Sequence, residues 1–264
     1  MTPVDQDPCS YFTRVDENRY RPTVHTGGAW SVSEQHISPL IGLLVHAVER
    51  AHPVADKAIS RIGVDILGVI GMDDFEVRTR VLRPGRTVEL VESTATAHGR
   101  SVAVARIWRL STSDTTAVAG GAGPALPPPD DLPSWPIAER WPGGYITGID
   151  MRPVVDPTPG HVTTWLSTPI TLVDGEPVSP LARLIGLVDT ANGIAVRVPP
   201  TEWAFPNLDL TIHLFREPGG DWLGLDTSVV FGADGRGLTS STLHDLSGPI
   251  GRAEQVLTLR PRTG

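Results

Sequence analysis

A single carboxylate interrupts an apolar stretch of the chain, LARLIGLVDTANGIA at residues 181–195. Plotted as one helix, this stretch has a broad apolar face, and Asp189 lies at the edge of that face with small residues beside it. The apolar face consists of Leu181, Leu184, Ile185, Val188 and Ala191. A carboxyl group that is partly removed from water has a raised pKa and can act as a general base toward a water molecule. The alternative interpretation is a polar residue on the solvent edge of an amphipathic helix.

Two similar helices are predicted, each with its own start signal, and Asp189 lies in the second of them. IGLLVHAV at 41–48 resembles IGLVDTAN at 185–192, with Val45 at the place of Asp189. Ser31 and Glu34 have the spacing of a capping box for the first helix, which ends near Arg50. Ser179-Pro180 supplies an N-cap and a first-turn proline for the second helix.

Long strands follow each helix. Residues 81–110 and 213–245 share an order of apolar strand, arginine, Pro/Gly turn, strand, Gly-Arg turn and strand. In LDLTIHLF (208–215), the apolar residues Leu208, Leu210, Ile212 and Leu214 alternate with polar ones, which predicts a half-buried strand. Turn residues at 83–85, 98–99 and 234–235 predict antiparallel hairpins.

These elements predict an α+β fold of two repeats, each a long helix wrapped by an antiparallel sheet. We expect an N-terminal unit at 1–110, a Pro/Gly-rich linker or surface excursion at 111–160, and a C-terminal unit carrying the site at 161–264. Long sheet edges left unpaired favour pairing of the two units and assembly into a homodimer or a higher homo-oligomer.

Composition excludes several classes of function. A net charge of −8 argues against non-specific binding to nucleic acid. Cys9 is the only cysteine, and the eight histidines form no H-E-x-x-H motif, so neither a disulfide nor a zinc site is predicted. No apolar run is long enough for a membrane span, and residues 1–12 do not resemble a signal peptide, so we expect a cytoplasmic protein. GRSVA at 99–103 is interpreted as a hairpin turn rather than a nucleophile elbow, because alternating strand residues follow it.

The segments LVDTANGI, FPNLDLTIHLFREP and GPIGRAEQVLTLRP, together with the doubled helix-and-strands pattern, resemble the type II acyl-CoA thioesterases and their thioesterase-like relatives. The resemblance covers most of the chain apart from 111–160. It implies a double hotdog fold and hydrolysis of an acyl thioester, carried by CoA or by a carrier protein, without a metal or cofactor. The alternative is an acyl-ligand binding protein on the same fold, with weak or no hydrolysis.

The resemblance also implies site residues. Family members use an Asp, a Thr or Ser, and a Gln to hold the attacking water, and these positions fall on Asp189, Asn207 and Gln255. Asn207 departs from the family's hydroxyl residue, and His244 competes with Gln255 for the last position. Strand alternation points Asn207 away from the leucine face unless a bulge or an irregular strand start turns it inward.

A thioester hydrolase also needs a hydrogen-bond donor for the oxygen on which charge develops. Backbone N–H groups near a helix N-terminus suit this role. The loop before the first helix contains Gly27 and Gly28, which we take as candidates for this donor.

Overall fold

The computed structural model describes residues 9–28 and 30–262, and all statements below refer to these residues. The fold is α+β, with one thirteen-stranded sheet and few helices. The sheet is antiparallel except where β1 pairs with β9. Its strand order is β7-β8-β12-β13-β14-β11-β3-β6-β5-β4-β2-β1-β9.

The strands before the midpoint of the chain are β1 (Ser10–Arg14), β2 (Arg19–Pro22), β3 (Lys57–Ile66), β4 (Phe75–Arg83), β5 (Val88–Ala97) and β6 (Arg100–Ser111). Those after it are β7 (Asp150–Pro153), β8 (His161–Ser167), β9 (Thr171–Val173), β10 (Trp203–Ala204), β11 (Asp209–Leu214), β12 (Leu223–Phe231), β13 (Arg236–Asp245), β14 (Gly248–Thr258) and β15 (Arg260–Pro261). The α-helices are α1 (Ile37–Ala51), α2 (Gly144–Thr147), α3 (Pro180–Val188) and α4 (Ala191–Ile194), and short 3-10 helices span Val24–Thr26, Thr116–Val118 and Ile137–Glu139.

The three predicted turns each join antiparallel neighbours, namely β4–β5, β5–β6 and β12–β13. His98 and Gly99 both have positive φ, at 51° and 75°, and Gly235 has φ 85°. These left-handed conformations reverse the chain tightly with a twist that suits a hairpin. GRSVA therefore begins β6, as the hairpin interpretation predicted.

Both helices differ from their predicted bounds. The capping box at Ser31 and Glu34 is wrong, because these residues form a turn in which the Glu34 N–H donates to Ser31 O, and α1 begins only at Ile37 with His36 as its N-cap. The second N-cap is confirmed, since Ser179 Oγ accepts the N–H of Ala182 at 3.0 Å. The single helix over 181–195 is also wrong, because α3 ends at Val188 and α4 forms a separate short turn.

The helices α1 and α3 pack directly against each other, with α1 covering β4, β5 and β6 and α3 covering β12. Glycine makes the close approach possible. A Cβ atom added at Gly42 would lie 2.7 Å from Ala182 O and 2.9 Å from Gly186 Cα. The carboxyl end of α3 thereby lies beside the amino end of α1, where Pro39 Cα is near Gly186.

The segment 111–160, expected as a linker or surface excursion, is not uniform. Residues 112–129 are mostly exposed and irregular. The later part packs into the fold, because β7 pairs with β8 and because Trp141 and Tyr145 are buried. Sequence composition concealed this change, since proline and glycine continue through both parts. None of the described helices is long and apolar enough to cross a membrane.

Candidate active site

Asp189 caps the carboxyl end of α3, with the backbone still in the right-handed helical region (φ −67°, ψ −6°). The residue is only 5% exposed. The predicted position at the edge of a helical stripe is therefore replaced by a position at a helix end. There Asp189 lines a cavity together with His36, the residue that directly precedes α1.

Asn207 turns toward Asp189 through an irregular strand start. The β11–β14 register pairs Thr211 with Glu254, so regular pairing would place Asn207 opposite Thr258. Instead Asn207 pairs with Leu257, one residue out of step. Its Nδ2 donates to Asp189 Oδ1 at 2.6 Å.

The same irregularity changes the predicted apolar face of this strand. Leu210, Ile212 and Leu214 are buried as predicted, but Leu208 is 51% exposed because it precedes the regular part of β11. Strict alternation would bury Leu208 and expose Asn207, but the irregular strand start exposes Leu208 and turns Asn207 inward. This inward turn is what a site that includes Asn207 requires.

Gln255 approaches Asp189 from the middle of β14 and is 1% exposed. Its Nε2 donates to Asp189 Oδ1 at 2.8 Å. Ala253 and Leu257, two residues away on either side, are buried on the same face. His244, the competing residue, lies on β13 at a different cavity beside His213. The structure thus brings Asp189, Asn207 and Gln255 together and leaves His244 outside the cluster.

Burial raises the pKa of Asp189 to about 7, against the two amide hydrogen bonds, which lower it. The negative charge of Asp209 acts in the same direction as burial. The carboxyl end of α3 adds a partial negative charge that also disfavours a carboxylate there. A carboxyl group with this pKa is ionised in a large fraction of molecules near neutral pH and can still accept a proton.

A cavity of about 30 Å³ lies beside Asp189, with Trp30, His36, Trp141 and Asn192 among its lining residues. This volume is sufficient for a water, which needs roughly 10–15 Å³. Asn192 is 6% exposed, and its Nδ2 donates to Phe205 O at 3.0 Å. Its Oδ1 is buried without a hydrogen-bond partner among the described residues. The cavity therefore offers both a carboxylate and an unpaired amide oxygen.

Gly27 and Gly28 do not supply free donors, which corrects the sequence expectation. The Gly27 N–H donates to Val24 O at 3.2 Å and the Gly28 N–H donates to Glu34 O at 3.1 Å. Gly28 instead permits close packing of two loops, because a Cβ there would lie 2.5 Å from Pro142 O and 2.9 Å from Gly143 Cα.

Sequence reasoning missed His36 and the aromatic residues around the cavity, and it gave Asn192 no role. Asn192 could have been found from its place near Asp189 on the helical wheel. His36 carried no local signal, because histidine is not a usual N-cap. Trp30, Trp141 and Phe205 form an edge-to-face cluster, with ring centroids 4.9 Å apart for the two tryptophans and 5.3 Å apart for Trp30 and Phe205. Among the described residues no group of three or more His, Cys, Asp or Glu side chains is placed to bind a metal.

Comparison with known proteins adds family information to this geometry. Residues 26–110 match the family model of an acyl-CoA thioesterase N-terminal domain, and residues 127–259 match that of an acyl-CoA thioesterase C-terminal domain. A search of curated protein sequences gave no significant match.

Solved structures share the fold at low sequence identity. A putative thioesterase II from Thermobifida fusca YX is 20% identical, with a TM-score of 0.73 over 97% of this chain and 99% of that one. An acyl-CoA thioesterase II from Mycobacterium marinum is 18% identical, with a TM-score of 0.66 over 96% and 97%. A protein of unknown function with a hot dog fold from Alicyclobacillus acidocaldarius is 14% identical, with a TM-score of 0.73 over 97% and 98%.

The two family models together span most of the chain, and the second of them contains Asp189, Asn207 and Gln255. The chain belongs to the acyl-CoA thioesterase family.

Proposed function

We propose that the protein hydrolyses its acyl thioester by a water that Asp189 activates, within two hotdog repeats whose helices are α1 and α3. The observation that carries the proposal is the buried carboxylate of Asp189, held by two amides beside a cavity that fits one water. A raised pKa favours the carboxylate as a proton acceptor.

The two amides have a different task from the one expected from sequence. Asn207 and Gln255 both donate to Oδ1 of Asp189, so they hold the carboxylate rather than the water. Oδ2 is then available to accept one hydrogen of the water. Asn192 lines the same cavity, and its Oδ1, a buried acceptor without a partner among the described residues, suits the second hydrogen. With both hydrogens engaged, a lone pair of the water oxygen is free to face the substrate, which reduces the orientational entropy lost in the reaction.

The reaction balances without a cofactor. The water oxygen bonds to the thioester carbonyl carbon while one water proton passes to Asp189. The carbon–sulfur bond then breaks, and the departing thiolate takes up a proton. The products are a free carboxylic acid and a thiol, and the Asp189 carboxylate is restored when its proton is released.

Substrate binding requires the cavity to widen through movement of Trp30, which is partly exposed. A volume of about 30 Å³ holds a water but no thioester group. Trp30 and Trp141 line this cavity, and Trp141 is fixed by its Nε1, which donates to Gly193 O at 2.7 Å. We place the acyl chain along α3, where Leu184 and Leu187 line a further cavity of about 70 Å³. The thiol carrier is CoA or a carrier protein.

The experiment that tests the proposal is thiol release from short, medium and long acyl-CoAs by wild type, Asp189→Asn and Asp65→Asn. Asp65 is an exposed carboxylate in β3, opposite Asp209 of β11, that does not line the cavity, and it serves as the matched control. We expect Asp189→Asn to lose at least about a hundredfold in kcat, within the range of general-base catalysis, and Asp65→Asn to keep wild-type kcat.

Two outcomes would contradict the proposal. Unchanged turnover in Asp189→Asn would show that the carboxylate is structural. Binding of acyl-CoA or an acyl carrier without turnover by wild type would favour the acyl-ligand binding protein, the second function considered from the sequence.

A further inference from the structure

His36 lies at the amino end of α1 and faces the same cavity as Asp189. Its ring stacks on the buried Tyr145, with centroids 4.1 Å apart and planes inclined by 22°. Tyr145 is itself fixed, because its hydroxyl group bonds to Thr190 Oγ1 at 2.7 Å. The imidazole therefore has a defined position between α1 and the end of α3.

The protonation of this ring follows from its cap hydrogen bond. Nδ1 accepts the backbone N–H of Ser38 at 3.2 Å, so a neutral ring carries its proton on Nε2. Burial lowers the pKa of His36 to about 3, which keeps the ring neutral at every pH where Asp189 is ionised. Among the described residues Nε2 has no hydrogen-bond partner. His36 thus presents an N–H donor without a charge.

We propose that His36 is a further catalytic residue, whose Nε2–H donates to the thioester carbonyl oxygen as negative charge develops on it. This inference rests on the proposed function of Asp189. The N–H groups of Gly27 and Gly28, the donors expected from the sequence, are already bonded within the protein. A fixed donor aimed at the developing oxyanion stabilises the transition state more than the ground state.

The neutral form of His36 suits this role for a second reason. An imidazolium ion beside Asp189 would stabilise the carboxylate and weaken it as a base. A neutral N–H donor polarises the carbonyl group and leaves the basicity of Asp189 intact. The same cavity can therefore hold a base and an electrophilic donor without neutralising either.

Two substitutions separate the donor role from the cap role. In His36→Asn the side-chain oxygen can still accept the Ser38 N–H, since Asn is a favoured N-cap, but the distal donor is lost. In His36→Gln an amide N–H can reach the position of Nε2, but the cap is weakened. We expect a roughly 100- to 1,000-fold loss of kcat in His36→Asn with nearly unchanged KM, which is the loss typical of an oxyanion donor. His36→Gln should retain more kcat than His36→Asn and have a lower Tm.

The assay is thiol release from acyl-CoA over a range of pH, with Tm measured for each variant. In His36→Asn we expect the rise of kcat with pH to stay near the pKa of Asp189, at a lower plateau. Wild-type kcat in His36→Asn, or a loss in His36→Gln as large as in His36→Asn, would overturn the proposal. If Asp189→Asn loses activity while His36→Asn does not, only the inference on His36 fails. If Asp189→Asn keeps its activity, the proposed function fails as well.

Discussion

At neutral pH, Asp189→Asn should stabilise the fold while it lowers kcat at least about a hundredfold. The pKa of Asp189 is raised from 3.8 to about 7 by burial, so the folded protein retains a proton that the unfolded chain releases. The free energy of unfolding therefore has its full contribution from this group below about pH 4 and loses it as pH rises toward about 7. The Asn side chain is neutral at every pH, so Asp189→Asn does not lose this contribution to the free energy of unfolding as pH rises.

The size of the pKa shift gives the magnitude of this stability effect. A difference of roughly 3 units in pKa corresponds to roughly 4 kcal/mol of unfolding free energy. The stability of Asp189→Asn relative to wild type should increase by about 1.4 kcal/mol per pH unit between about pH 4 and pH 7, and stay constant above about pH 8. Taking the difference between the two proteins cancels the other titrating groups, because they are common to both.

Urea unfolding followed by circular dichroism, at several pH values from about 4 to about 9, measures this difference. The rise of kcat/KM with pH in wild type should have its midpoint near pH 7, since the same ionisation creates the base. A stability difference that does not change with pH would refute the reasoning, because it would mean that Asp189 has an ordinary pKa. Loss of stability in Asp189→Asn at high pH would likewise show that the carboxylate is a stabilising group.

Further predictions concern the helix contact and the cavity. Gly42→Ala should cost about 1–3 kcal/mol of stability, because its Cβ would meet the backbone of α3. Gly186→Ala should be neutral or slightly stabilising, because its Cβ would have only ordinary contacts of 3.8–3.9 Å. Thermal unfolding of both variants checks this difference. Gln255→Leu removes a hydrogen-bond donor to the carboxylate, so the pKa of Asp189 should rise above about 7. The pH profile of kcat/KM should then move to higher pH, and an unchanged profile would contradict a role for this hydrogen bond. Asn192→Ala should lower kcat roughly tenfold, the value of one hydrogen bond to the water, and an unchanged kcat would remove Asn192 from the site.

Local chemistry was sufficient to predict the hairpins and one helix start. His98, Gly99 and Gly235 adopt left-handed backbone conformations that only a few residue types accept without strain, so these turns are encoded within two residues. Ser179-Pro180 acts in the same way at α3, through a hydroxyl acceptor and a fixed φ. The predicted start of α1 was wrong because Ser31 and Glu34 form a turn, in which the Glu34 N–H donates to Ser31 O. The N-cap of α1 is His36, whose ring accepts the Ser38 N–H.

The strand pattern, the turns and the unusual acid in the apolar stretch could all be identified from the residues alone, because hydrophobic period and turn chemistry act between near neighbours in the chain. The surroundings of Asp189, in contrast, depend on residues that are distant in the chain. Gln255 reaches Asp189 from 66 residues away along the chain, and Asn207 reaches it only through a one-residue shift in strand pairing. His36 comes to the same cavity because the glycine contact brings α1 against α3. Such contacts depend on the packing of whole elements, and packing is a property of the assembled core rather than of any local segment.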